Sequence, residues 1–99
     1  MSYIVEGTQG SITVTPSALT ELVVRAAESV DGAEVRRGRR RLDVHVADGR
    51  AHVRLELSAR YGVVLPELAR SVQERVAEAL TSMCRVDVDA IDVSVEAVE

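Results

Sequence analysis

The sequence predicts an α+β fold. Two amphipathic helices should lie on one face of a mainly antiparallel sheet of four to five strands, a two-layer sandwich in the order β-α-β-β-β-α-β. Three observations carry this. Apolar residues recur at helical spacing in two stretches, apolar and polar residues alternate in others, and an Asp-Gly pair separates two of the alternating runs. A chain of 99 residues, 46% hydrophobic and 28% charged, suffices for one modest core. That core must be aliphatic, because the chain holds eighteen valines and two tyrosines but no Phe or Trp.

Residues 1–9 are expected to be a short lead, and 10–98 a single domain. Ser11 to Thr15 reads as a strand, with Ile12 and Val14 sharing a face. Thr15-Pro16 then starts a helix, Thr15 as N-cap and Pro16 at the first helical position. Leu19, Leu22, Val23, Ala26, Ala27 and Val30 form its apolar stripe, and Asp31-Gly32 ends it. A weak strand follows at Ala33 to Arg37. Leu42, Val44 and Val46 then alternate with Asp43, His45 and Ala47. Beyond Asp48-Gly49, Val53, Leu55 and Leu57 alternate with His52, Arg54 and Glu56.

Asp-Gly as a two-residue loop sets the hairpin register. Leu42 falls opposite Leu55, Val44 opposite Val53 and Val46 opposite Ala51. On the other face Arg41 falls opposite Glu56, Asp43 opposite Arg54 and His45 opposite His52. One face is then wholly apolar, and the other carries two opposite-charge pairs worth about 0.2–1 kcal/mol each. A slip of one residue destroys both features. The second helix runs from about residue 64 or 65 to Ser82, with Leu65, Leu68, Ala69, Val72, Val76, Leu80 and Met83 as its stripe and Pro66 in its first turn. Val86 to Val98 forms the last strand. Its apolar parity switches at Asp89-Ala90, which predicts a bulge or two short strands. The sheet's second face is expected to be polar, made by Ser11, Thr13, His45, Arg54, Glu56, Asp92, Ser94 and Glu96.

These segments together resemble the alkaline shock protein 23 family of bacterial envelope stress response proteins. Gly10-Ser11-Ile12-Thr13-Val14 precedes the first helix, and Val30-Asp31-Gly32 ends it. Tyr61-Gly62 leads into Val63-Val64-Leu65-Pro66-Glu67-Leu68-Ala69 and Val72-Gln73, and the chain closes with Val88-Asp89-Ala90-Ile91-Asp92-Val93-Ser94-Val95. The resemblance covers about residues 8 to 98. The chain departs from the family pattern at Ala33, where Val is usual, at Thr81-Ser82-Met83, where Thr-Gly is common, and at Asp92, where Asn is common. The resemblance implies a non-enzymatic cytosolic protein that self-associates and is held near the membrane by an anchor protein. It brings no catalytic residues.

Composition narrows the function further. A net charge of −4 makes the whole chain a poor ligand for polyanions, and the dearth of aromatics argues against base stacking. One cysteine, Cys84, excludes an internal disulfide and a cysteine-only metal site. Beside Arg85 its thiolate would be favoured, but next to Met83 it reads as a small packing residue. No cofactor or metal site is expected. No stretch approaches the roughly 20 apolar residues of a membrane span, and Met1 to Gly7 lacks the pattern of a signal peptide. The expected location is the cytoplasm, with membrane association through a partner and no direct insertion.

Two groups of residues stand out. Arg36, Arg37, Arg39, Arg40 and Arg41 carry five positive charges in six positions. They are candidate contacts for an acidic partner or a phosphate, beside the plainer reading of a solvated, charge-protected strand edge. His45 and His52, with Asp43 nearby, are a candidate pH-sensitive pair, since two imidazoles so close resist double protonation below about pH 6. They are too few ligands for a structural zinc site. Gly7-Thr8-Gln9-Gly10 spells the GxxG of a KH loop, but it precedes a strand and does not join two helices. The expected function is therefore that of a non-enzymatic interaction or scaffold protein of the envelope stress response, at the cytosolic face of the cell envelope. Its expected partners are further copies of itself and a membrane-anchor or related protein. The alternative is a small nucleic-acid-binding module using Arg36 to Arg41.

Overall fold

A computed structural model describes residues 3–7, 9–38 and 41–99. At its centre is the Asp-Gly hairpin. β4 (Leu42–Ala47) and β5 (Arg50–Ala59) pair antiparallel in the register read from the sequence, Leu42 opposite Leu55 and His45 opposite His52. Asp48 and Gly49 both take positive φ, 52° and 72°, as a type I′ turn requires. Along β5, Ala51, Val53, Leu55, Leu57 and Ala59 are at most 1% exposed, while His52 and Arg54 face outward. The two-residue period of the strand thus becomes a sheet with one dry face.

β5 has neighbours on both sides. β3 (Ala33–Val35) and β4 lie end to end along one side of it, both antiparallel. On the other side β6 (Asp87–Val98) runs parallel to it, from Arg50↔Asp87 to Ala59↔Val98. The parallel direction follows from the connection. α2 (Leu65–Cys84) carries the chain back over the sheet, so the strand after it restarts at the end where β5 began. Asp89 is left unmatched between Val88 and Ala90, the bulge expected from the parity switch. A second shift leaves Glu96 unmatched between Val95 and Ala97, where the sequence shows no parity change to announce it.

α1 (Pro16–Glu28) and α2 pack against each other and against the dry face. The Thr15 side chain accepts a hydrogen bond from the Ala18 N–H at 3.3 Å, so the expected cap is made. α1 ends at Ser29, short of the end of the apolar stripe, and Gly32 takes its positive φ of 93° in the turn beyond. Leu19, Val23, Val24 and Ala27 of α1 and Val72, Val76, Leu80 and Cys84 of α2 share one core cluster on the buried side of the sheet. Met83, counted with the α2 stripe, is 71% exposed, and Cys84, four residues beyond Leu80, takes the inward position. Arg85 ends α2 in a left-handed conformation, φ 54°, a role the sequence does not signal because glycine usually fills it.

The lead contributes a strand of its own. β1 (Tyr3–Gly7) pairs with β2 (Gly10–Val14) as a two-stranded hairpin outside the four-stranded sheet. Ser11 and Thr13, expected on the main sheet's polar face, belong to this separate hairpin. Gly7 and Gly10 pair across its turn, so the GxxG stretch joins two strands. Val14 is half-buried against the core, but Ile4 and Ile12 are 60% and 65% exposed. The described chain is elongated, 50 × 24 × 19 Å.

Candidate functional site

With both helices on the dry face, the other face of the sheet is left open, and its strands set polar groups along it. The register aligns Asp43, Arg54 and Asp92 in one row across β4, β5 and β6. His45, His52 and Ala90 form the next row, and Ser94 stands beside Glu56. His52 lies opposite His45 as expected, but its Nε2 meets Asp92 Oδ2 at 2.8 Å. Asp43 is not the carboxylate that engages it. Arg50 Nη2 reaches Asp89 Oδ1 at 3.2 Å across the same pair of strands. These pairs are half to two-thirds exposed and align the face more than they stabilise it.

The arginine-rich loop sits where β3 hands over to β4 along β5. A single residue of β5 holds both its ends: the Arg36 N–H donates to the Glu56 carbonyl at 2.9 Å, and the Glu56 N–H donates to the Arg41 carbonyl at 2.8 Å. Arg36 and Arg41 are thereby brought together at the sheet's edge. Arg36 is half-buried, while Arg37 and Arg41 are exposed. Arg37 Nη1 approaches Glu21 Oε2 of α1 at 3.9 Å. Arg39 and Arg40 lie outside the described residues.

Both edges carry a helix side chain on a strand backbone group. Glu28 of α1 accepts from the Val35 N–H at 3.0 Å on the β3 side. Gln73 of α2 donates to the Ile91 carbonyl at 2.9 Å on the β6 side. Each satisfies a group that an edge strand would otherwise present to another chain. Neither is legible in the sequence.

The surface is shallowly concave at the end where β5 and β6 stop. A groove of about 740 Å³ runs between Arg36, Arg37 and Arg41 on one side and Ala97 and Glu99 on the other, with Glu28 and Glu34 also lining it. A smaller one of about 280 Å³ adjoins it beside Ser58, Arg60 and Glu99. Next to this, Arg60 makes a two-point contact with Asp31, Nη1–Oδ1 and Nη2–Oδ2 both at 3.0 Å. The hydrogen bonds and charge of Arg60 hold the Asp31 carboxyl below its usual pKa, and Asp31 raises that of Arg60. Among the described residues no three His, Cys, Asp or Glu side chains gather as metal ligands. A groove lined by carboxylates and guanidiniums together neutralises itself, which suits a partner of mixed charge better than a phosphate chain.

A model of the alkaline shock protein 23 family, described as having cell envelope-related function, matches residues 35–99. The match runs from the end of β3 through β6, a shorter span than the resemblance read from the sequence. No curated protein matches the chain significantly. Among solved structures the chain is similar to MamM C-terminal domains. A variant in its cadmium form is 22% identical with a TM-score of 0.60, covering 86% of this chain and 100% of that one. A nickel-form variant is 23% identical with a TM-score of 0.59, covering 84% and 99%. A copper-form variant is 23% identical with a TM-score of 0.58, covering 84% and 98%. At this identity the likeness is one of fold.

Proposed function

Because the chain belongs to the alkaline shock protein 23 family, we propose that it is a non-enzymatic interaction protein of the cell envelope, acting on the cytosolic side in the envelope stress response. Its work is to bind other proteins: further copies of itself, and a membrane-anchor or related protein that keeps it at the envelope. The observation that carries this reading is the family match over residues 35–99, which spans the central hairpin, α2 and β6. The form of the surface supports it. The open sheet face is an ordered array of exposed charged and polar side chains, and the groove at its end is broad and mixed in charge. Such a surface suits recognition of a folded partner.

No helix among the described residues is long and apolar enough to cross a membrane, so attachment through a partner fits the chain. The nucleic-acid alternative draws on the arginine loop, but Glu28, Glu34 and Glu99 share that groove and oppose a polyphosphate. Cell fractionation tests the proposal. The chain should sediment with the membrane fraction and come free on a high-salt or alkaline wash without detergent. A chain that stays in the supernatant of intact fractions, or that needs detergent for release, contradicts the reading.

A further inference from the structure

The chain has two histidines, and the β4–β5 register sets them directly opposite each other on the open face of the sheet. Both are exposed. Residues facing each other across an antiparallel pair carry their Cβ atoms about 4.5–5.5 Å apart. Two imidazoles can close that gap around one ion, with metal–nitrogen bonds of about 2.0–2.1 Å. His52 is already held as a metal ligand would be. Its Nε2 lies 2.8 Å from Asp92 Oδ2 on β6. A carboxylate only accepts, so in the neutral ring the proton sits on Nε2 and Nδ1 keeps its lone pair. This is the carboxylate–histidine arrangement that orients metal-binding imidazoles and raises their basicity. Charge around the pair favours a cation. The neighbouring positions hold Asp43, Asp89 and Asp92 against Arg50 and Arg54, three acids to two bases.

We propose that His45 and His52 bind one exchangeable divalent transition-metal ion, zinc, nickel or copper, with Asp92 as the carboxylate behind His52. No group of three or more His, Cys, Asp or Glu ligands forms among the described residues, so water completes the coordination sphere. The site is therefore open and labile, unlike a structural zinc centre closed by four protein ligands. Imidazole nitrogen suits these metals, whereas magnesium and calcium take oxygen. Both ligands stand on strands that are already paired, so binding orders little beyond two side chains. The bound ion ties β4 to β5 and thereby stabilises the folded chain. The site is independent of the partner binding proposed above.

Isothermal titration calorimetry of the full chain with zinc chloride, repeated with nickel chloride and calcium chloride, tests this. The wild-type chain should bind one zinc or nickel ion per chain. His45→Ala and His52→Ala should each weaken zinc binding about tenfold or more, to the level of the double variant that lacks both imidazoles. Asp92→Asn should keep the stoichiometry and lose about tenfold in affinity, the low end of the 10–100-fold usual for a carboxylate behind a ligating histidine. Calcium should bind the wild-type chain no better than the double variant. Zinc should raise the Tm of the wild-type chain and leave that of the double variant unmoved. The double variant's cooperative unfolding without metal shows that it is folded. Equal zinc affinity in the wild-type chain and the double variant, equally tight calcium binding, or one zinc per two chains overturns the site. An unchanged affinity in Asp92→Asn overturns the place of Asp92 behind His52.

Discussion

Leu55→Ala probes the one-sided core on which the whole architecture rests. Leu55 lies on β5 between Leu42 of β4 and Val93 of β6, is 0% exposed, and belongs to the cluster shared with both helices. Truncation removes three carbons, about 2–3 kcal/mol of lost transfer free energy. The cavity term raises the total into the range of about 2–5 kcal/mol. Against the stability of about 5–15 kcal/mol usual for a domain, about 3 kcal/mol is a large fraction. It corresponds to a fall in Tm of about 12–24 °C for a chain of this size. The assay is urea unfolding followed by far-ultraviolet circular dichroism, with linear extrapolation to water. Met83→Ala is the control: Met83 is 71% exposed, and its loss should move stability by less than about 0.5 kcal/mol. A Leu55→Ala cost below about 1 kcal/mol, or an equal cost at Met83, would refute the burial argument.

Two further outcomes follow from local geometry. Gly32→Ala should destabilise more than Gly49→Ala in the same urea assay. Both sites have positive φ, but a Cβ at Gly32 meets Val63 Cγ1 at 3.1 Å, while at Gly49 nothing lies within 4 Å. About 1–2 kcal/mol is expected at Gly49 from backbone strain alone, and equal costs at the two sites would show that the Val63 contact does not matter. The Asp31–Arg60 pair predicts a pH effect of definite sign. The folded carboxyl titrates below its unfolded value, so the stabilisation is fully present above the ordinary carboxylate range and disappears as pH falls through the lower, folded value. In a carboxyl NMR titration Asp31 should move upward in Arg60→Ala; an unchanged midpoint removes the pairing from the account.

The parts of the fold that can be read in advance are those governed by neighbouring residues. The β4–β5 register follows from alternation and Asp-Gly, the α1 cap from Thr15-Pro16, and the first β6 bulge from a parity change at Asp89. What cannot be read depends on tertiary neighbours. Alternation in β6 tells which side chains share a face but not that the strand joins β5 in parallel. His52–Asp92, Gln73–Ile91 and Arg60–Asp31 join residues 40, 18 and 29 positions apart, so no periodicity announces them. The arginine loop is visible in the sequence as charge. That Arg36, Arg37 and Arg41 share a groove with Glu28, Glu34 and Glu99 emerges only from the pairing of β3 and β6 with β5. β1 gives little signal because Ile4 and Val5 are too short an apolar run to mark a strand.

The claim that this chain works by binding copies of itself is most directly tested by its mass in solution as concentration rises. Sedimentation equilibrium should give a weight-average mass that climbs above the 10.7 kDa of the monomer. A mass that remains at the monomer value over the whole accessible range would contradict it.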